Sequence, residues 1–314
     1  MNKKNILVVG ELNIDIIADH INGFPVIGYE ILADKMNITL GSSSAIFASN
    51  IATLGVHTSF CGVVGKDSFG EFILDELKNK NVDTSYISQS DKFKTGVTIV
   101  LNYSQDRANI THCGAMDALD ITCIPVAEFY KFNHLHFSSY FLQKGMRADV
   151  VNLFKAAKER GLTTSLDIQW DPNNNWSFPY KDCLPFVDVF LPNESEILML
   201  SGESELNKAL EKIREFANLI VVKLGTNGAL AFEKGTAISS PSFLHNHFID
   251  AIGAGDSFNA GFISKYLLRC PLEESLQFAN LAGAINTTAS GGIAAFESQQ
   301  SFKSKAKKLF NISL

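Results

Sequence analysis

The sequence predicts an α/β fold: a large, mainly parallel sheet flanked by helices, with a second, smaller sheet attached. Three observations carry that expectation. Short β-branched runs alternate with segments of helical period, the pattern of parallel strands joined by crossover helices. Two stretches, 31–40 and 96–112, break the alternation and read as strands with no helix between them. Finally, 314 residues at 46% hydrophobic and 19% charged content hold enough apolar material for a sizeable core, so one unit spanning 1–314 is expected.

The apolar run at 5–9 reads as a first, buried strand. Residues 44–54 form a helix of small and apolar residues stopped by Gly55, and 58–64 is the next strand. The amphipathic segment 68–79 places Phe69, Phe72, Ile73, Leu74 and Leu77 on one side, with Asp67 as its N-cap. Strands follow at 134–138, 164–167, 187–191 and 219–223, with helices at 147–159, 194–200 and 206–216. From Asp256 onward the chain is mostly helical. The two stretches outside this alternation form the small sheet, a lid built from about 12–41 and 96–114. No fixed-period repeat or low-complexity segment occurs.

The formal net charge is −6 and the pI near 5.7. The short Lys303, Lys305, Lys307, Lys308 set reads as the solvated face of a last helix, so nucleic acid finds no electrostatic footprint. Cys61, Cys113, Cys123, Cys183 and Cys270 include no C-x-x-C pair and sit among apolar neighbours, as thiols of a reducing compartment do. Glu11 and Asp15 interrupt the first apolar region too early for a signal peptide. No stretch reaches the roughly 18 apolar residues that span a bilayer. A cytoplasmic protein with neither membrane nor nucleic-acid partner is expected.

The sharpest local feature is Gly253-Ala254-Gly255-Asp256-Ser257, a small-residue turn feeding straight into a helix. Two readings stand level: an anion cradle of converging backbone N–H groups, and a glycine-rich helix entry with Asp256 as a first-turn acid favoured by the helix dipole. It is not a dinucleotide fingerprint, because Phe258 stands where the third glycine belongs. Gly62-Val63-Val64-Gly65-Lys66 has the wrong spacing for a Walker A loop, and Asp67 replaces its Ser/Thr. His134-x-His136 and His245-x-His247 put ring pairs on one strand face, but without a nearby acid or cysteine they read as core or surface histidines. Trp170, Trp176 and Phe178 around Asp171 read as loop packing.

Preceded by Asp250, the Gly253-Ala254-Gly255-Asp256 segment resembles the C-terminal signature of the PfkB (ribokinase-like) carbohydrate kinases. Three further segments agree, in order: Gly62 to Gly70 with G-x-V-G-x-D-x-F-G, Asn193-Glu194-Ser195-Glu196 with N-x-x-E, and Lys223 to Gly228 with the nucleotide-side glycine turn. Each match alone is weak, but four in sequence cover nearly the whole chain. The resemblance implies a three-layer α/β/α sandwich with a small β-sheet lid, ATP as donor, Mg²⁺ as cofactor, and phosphoryl transfer to a hydroxyl of a small sugar or sugar acid.

Roles follow from that implied chemistry, in which the protein positions groups and neutralises spreading negative charge. Asp256 accepts the hydroxyl proton, and the Gly253, Ala254 and Gly255 amides receive the phosphoryl group. Asn193 and Glu196, one helical turn apart, face Mg²⁺ and phosphate, Glu196 indirectly; a plain capping box fits the same pair. Lys223, Gly225 and Gly228 make a strand end and tight turn that the resemblance lays along ATP, and Asn280 matches an asparagine near the base. Asp250, with Ile252 and 289–291, stands where a monovalent cation such as K⁺ would sit.

On the substrate side, Asn13 and Asp15 follow the first strand, where the resemblance places a substrate-binding acid and where turn chemistry serves equally. Gly41 and Ser42 join them. Arg107 is a candidate partner for a substrate carboxylate or phosphate, against the plainer reading of an exposed arginine. The pattern departs at Ser42, which replaces the second glycine of a G-G pair, and at Ile46, which replaces an asparagine. That departure keeps a nucleoside kinase of the same fold open as an alternative. A catalytically silent sugar-binding regulator is the third reading, and the intact Asp256 turn argues against it. Ile31, Leu32, Ile38 and Leu40 give the lid an apolar face on which a second subunit could pair as a homodimer.

Overall fold

The computed structural model describes residues 4–103 and 107–314; residues 1–3 of the N-terminal segment and 104–106 of the expected lid hairpin lie outside the described residues. The chain runs through β1 (Asn5–Val9), β2 (Asn13–Ile21), β3 (Ala33–Leu40), α1 (Ser43–Thr53), β4 (His57–Gly65), α2 (Ser68–Asn79), β5 (Val82–Ser90), β6 (Gly96–Asn102), β7 (Arg107–His112) and β8 (His134–Ser138). It continues through α3 (Val150–Glu159), β9 (Thr163–Asp167), α4 (Tyr180–Cys183), β10 (Val189–Phe190), α5 (Glu194–Ser201), α6 (Leu206–Ile213) and β11 (Leu219–Lys223). The last elements are β12 (Ala229–Glu233), β13 (Thr236–Ser240), α7 (Ala254–Leu267), α8 (Leu272–Asn286) and α9 (Gln299–Phe310). None of these helices is long and apolar enough to cross a membrane.

Nine strands form one sheet in the order β13-β12-β11-β10-β9-β8-β1-β4-β5. Every pair from β11 to β5 is parallel, and β12 and β13 return antiparallel at one edge. Strands buried on both faces need apolar residues at every position. In β1 Leu7 and Val9 enter one apolar cluster while Ile6 and Val8 enter another. Leu153 and Phe154 of α3 and Leu210 of α6 close the first cluster. Phe47 of α1, Phe262 of α7 and Leu276 of α8 close the second, which gives three layers. All the parallel strands deliver their C-terminal ends to one rim, where open α/β sheets bind ligands.

The small sheet has the order β3-β2-β6-β7. It contains a strand the sequence did not show: Asn13 and Asp15 lie within β2 and not in a turn. Cross-strand register puts Asp15, Thr39 and Thr98 on one face and Ile16, Ile38 and Ile99 on the other. The apolar side carries the exposed Met36, Ile38, Ile99 and Ile110, whereas Leu40 is buried. Strands β5 and β13 escaped the sequence reading because both are sheet edges, where polar side chains are tolerated, and β12, between β13 and β11, escaped it too. Pro192, which has no N–H to give a ladder, ends β10 after two residues.

The 62–70 motif is structural here. Asp67 caps α2 by accepting from the Gly70 amide at 2.9 Å, and it accepts from the Thr95 amide and hydroxyl at 2.9 and 2.7 Å. That carboxylate ties the entry of β6 to the end of β4. Burial works against the charge, but the Thr95 and Gly70 donors outweigh it and hold the pKa below the usual range.

Two histidines do lie on one strand face, as core residues. His134 Nε2 and His136 Nδ1 both reach the Ser165 hydroxyl at 2.7 Å, and His136 stacks on Phe47 at 3.7 Å. Burial pushes His134 from 6.5 down to about 3, and lowers His136 as well. Each depressed histidine contributes stability that is complete above the unfolded value of 6.5 and is lost as pH falls toward the folded one, at about 1.4 kcal/mol per pH unit. Buried acids with raised pKa values act in the opposite direction, so the whole-protein profile does not isolate the effect. The difference does: in urea unfolding between pH 7.5 and 5, His134→Gln is expected to lose less stability on acidification than the parent. An equal loss in both proteins would contradict the assignment.

Candidate active site

The rim of the large sheet gathers an ionic network from four segments. Asp167, the last residue of β9, is fully buried and accepts from Lys223 Nζ at 2.7 Å, Asn259 Nδ2 at 2.5 Å and Gln169 Nε2 at 3.0 Å. Lys223 ends β11 and Asn259 lies in the second turn of α7. Burial disfavours the Lys223 ammonium, but Asp167, then Glu196 and Asp256, outweigh it and raise the pKa above the ordinary lysine value.

Asp256 sits in the first turn of α7, buried. Its Oδ1 accepts from the Ser43 hydroxyl at 2.8 Å and from Gln169 Nε2 at 3.2 Å. Burial, then the Asp167 charge, push Asp256 from 3.8 up to about 7, against the Ser43 hydrogen bond and the Lys223 charge. A carboxyl in this range is poised to exchange a proton near neutrality.

The turn before it takes its shape from Gly253, at φ 73°. A side chain there would meet the Gly292 Cα at 2.6 Å and Ile46 at 3.1 Å, so only glycine fits. The Ala254 amide already donates to the Ala251 carbonyl at 3.2 Å. The Gly255 and Asp256 amides are first-turn donors, the class that a helix leaves without internal acceptors. The Lys223 side chain runs beside Gly255, which brings a cation to the same spot.

A cavity of about 550 Å³ opens over this turn. Arg107, Asn193, Glu196, Lys223, Gly225, Gly228, Gly253, Ala254, Gly255, Asp256 and Asn280 all line it. Asn193 and Glu196 do form a capping box at the start of α5: Asn193 Oδ1 accepts from the Glu196 amide and Glu196 Oε2 from the Asn193 amide, both at 2.8 Å. Burial, then Asp167, push Glu196 up to about 7. Gly228 is held at φ 90° with the Ser240 carbonyl 2.1 Å from where a Cβ would stand. Asn280 Nδ2 donates to the Ser240 and Pro241 carbonyls at 3.1 and 3.2 Å, tying α8 to the end of β13 at the cavity wall.

The family described as pfkB family carbohydrate kinase matches residues 3–299. The chain belongs to the pfkB family. It is accordingly an ATP-dependent carbohydrate kinase. The 2-dehydro-3-deoxygluconokinase of Bacillus subtilis (strain 168) is 28% identical over 272 residues, 80% of this chain and 82% of its own length. A ribokinase of Haemophilus influenzae is 24% identical over 309 residues, covering 95% and 97%. A solved structure of a putative ribokinase II from E. coli superposes with TM-score 0.85 at 24% identity, over 98% of this chain and 99% of that one. The chain therefore has the ribokinase fold.

The remaining candidates of this pfkB-family chain fall outside that cavity. Asn13 Nδ2 bonds Asp15 Oδ1 and the Thr98 hydroxyl, both at 3.0 Å, on the polar face of the small sheet. Burial raises Asp15 to about 7, with Asn13 and Arg107 pulling it back. Gly41 packs directly beside it, and a Cβ there would stand 2.2 Å from Asp15 Oδ1. Ser42 holds φ 67° and N-caps α1 through the Ala45 amide at 3.1 Å. Ile46 is buried against Gly253 and Gly292. It supports the turn from below. Asp250 accepts from the Ile252 and Gly291 amides, both at 2.9 Å, and so staples two loops behind the turn.

Sequence reading missed Glu11, Ser43, Asp167, Gln169 and Asn259. Glu11 is buried with hydrogen bonds from the Ser44 amide at 3.2 Å, the Ser44 hydroxyl, and the Ser139 hydroxyl at 2.8 Å, and burial raises its pKa. Only Asp167 carried a usable signal, as a carboxylate ending a strand of a parallel sheet.

Proposed function

We propose that this pfkB-family kinase transfers the γ-phosphoryl group of ATP to a hydroxyl of a small sugar or sugar acid, with Asp256 as general base. The observation that supports it most is the coincidence, in one cavity, of a buried carboxyl brought near neutrality, first-turn amides of α7, and the Lys223 ammonium. Asp256 takes the hydroxyl proton while the Gly255 and Asp256 amides, with Gly253 shaping the turn, face the transferring group. The four-stranded sheet acts as the lid, and its polar face supplies Asn13 and Asp15 to the substrate hydroxyls. Arg107, beside Asp15 in charge and on the cavity wall, suits an anionic sugar.

Glu196 and Asn193 suit a Mg²⁺ carried mainly by phosphate oxygens and water, because no group of three or more His, Cys, Asp or Glu is placed to hold a metal among the described residues. When bound, the ion would neutralise phosphate charge. A solved structure of a putative ribokinase II from E. coli is a complex with ATP and Mg²⁺. The loops joined by Asp250 are the candidate K⁺ site. Exchange of potassium for tetramethylammonium is expected to lower kcat, and unchanged turnover would remove K⁺ from the scheme.

The test of the reaction is an ADP-release assay over pentoses, hexoses, keto-deoxy acids and nucleosides. Transfer to a sugar or sugar acid is expected. Preference for a nucleoside would favour the alternative. Sugar binding without any turnover would favour a silent regulator. The exposed Met36, Ile38, Ile99 and Ile110 face supports a homodimer through the lid. Ile99→Lys is expected to shift the protein from dimer to monomer in sedimentation, and a parent that sediments as a monomer would refute it.

A further inference from the structure

We propose that Ser43 and Gln169 are a positioning pair that holds Oδ1 of Asp256 and leaves Oδ2 to the substrate hydroxyl. The proposal rests on the reading of Asp256 as the base. The Ser43 hydroxyl donates to Oδ1 at 2.8 Å. Gln169 Nε2 lies 3.2 Å from the same oxygen, 2.9 Å from the Ser43 Oγ and 3.0 Å from Asp167 Oδ2. The two N–H groups of the amide thus serve three acceptors, Asp167, Ser43 and Asp256. Among the described residues, no donor reaches Oδ2. Asp256 lines the cavity, with Oδ1 held by these two side chains.

The backbone supports a specific demand for this side chain. Gln169 adopts φ 59°, an uncommon conformation for a residue with a long side chain, and its own amide is held by Asp167 Oδ1 at 3.1 Å. That conformation directs the carboxamide to the cavity, which it lines. The chemistry of the position is equally narrow. Asp167 and Asp256 repel each other, and a neutral group with two N–H donors bridges both without adding charge. A glutamate there would be a third anion, and a lysine would compete with the pull of the base on the hydroxyl proton.

The test uses the full chain and four variants: Ser43→Ala, Ser43→Thr, Gln169→Leu, and Asp256→Asn as control. With ATP and 2-dehydro-3-deoxygluconate or D-ribose as probes, Ser43→Ala and Gln169→Leu should each lower kcat by about 10- to 100-fold, the scale of a hydrogen bond to a charged group. KM for ATP should stay within about 2-fold, and Ser43→Thr should restore most of kcat. Independently of turnover, ¹³C-aspartate NMR, assigned with Asp256→Asn, reads the Asp256 carboxyl directly. Loss of either donor should raise its midpoint. The other charged groups facing it, Asp167, Lys223, Glu11 and Glu196, are the same in every variant.

A kcat within about 2-fold of the parent in both donor variants, or an unmoved Asp256 midpoint, would overturn the pair. Those results would leave the base assignment standing. Full turnover in Asp256→Asn would instead remove the base itself.

Discussion

Asp256→Asn is expected to lower kcat by about 10² to 10⁴ while making the protein more stable at pH 8. The two effects share one cause. Burial and Asp167 raise the Asp256 pKa from 3.8 to about 7, so the ionised carboxylate is an unfavourable guest in its own site. The sign follows from proton counts. Between the unfolded and folded values the native protein binds a proton that the unfolded chain does not. Stability therefore falls as pH rises from 3.8 through 7, and the full cost, on the order of 4 kcal/mol as an upper bound, is present above 7.

An asparagine has the same shape and no charge, so it removes that cost together with the base. Urea unfolding at pH 8 and pH 5 provides the measurement. The variant should exceed the parent clearly at pH 8 and by less at pH 5, where the parent carboxyl is already protonated. Kinetics supply the other half. In the parent, kcat/KM should rise with pH through about 7 as the base loses its proton, and the variant should lack that limb. A variant that is less stable at pH 8 would mean that the Ser43 and Gln169 donors outweigh burial.

The parts of this site that were legible in the sequence are those held in a short stretch of chain. Gly253, Ala254, Gly255 and Asp256 are consecutive, and Asn193 and Glu196 close a capping box by themselves. Gly41 was legible as a glycine, but its reason, the close approach of Asp15, is a tertiary fact. The Asp256 network was not legible. The Ser43–Asp256 bond spans 213 positions and the Asn259–Asp167 bond 92, and no local pattern announces such partners. Ile46 shows the reverse case. Its departure from a family pattern was legible, but its packing beneath the Gly253 turn was not. The fold was more accessible because its buried parallel strands are apolar throughout, and the reading missed the edge strands β5 and β13, which can be polar, together with the neighbouring β12.

Lys223→Met should cost stability on a scale of about 3 to 5 kcal/mol, because it leaves a buried carboxylate without its cation. Asp167 is fully buried and the Lys223 Nζ lies 2.7 Å from it. Methionine keeps the length of the stem, so the loss reports charge and not a cavity. Asn259 and Gln169 still donate to Asp167, but neutral donors cannot offset its repulsion with Asp256, and Glu196 is left with the Asn193 amide against the same field. Pairing it with Asp167→Asn should recover much of the loss, since removing both partners of a buried ion pair is far less costly than removing one. Urea midpoints for the two singles and the double complete the cycle. An additive double would show that the pair does not act as a unit. ATP affinity separates the second role: the doubly neutral protein, though refolded, should still bind ATP more weakly, because the cation beside Gly255 is gone.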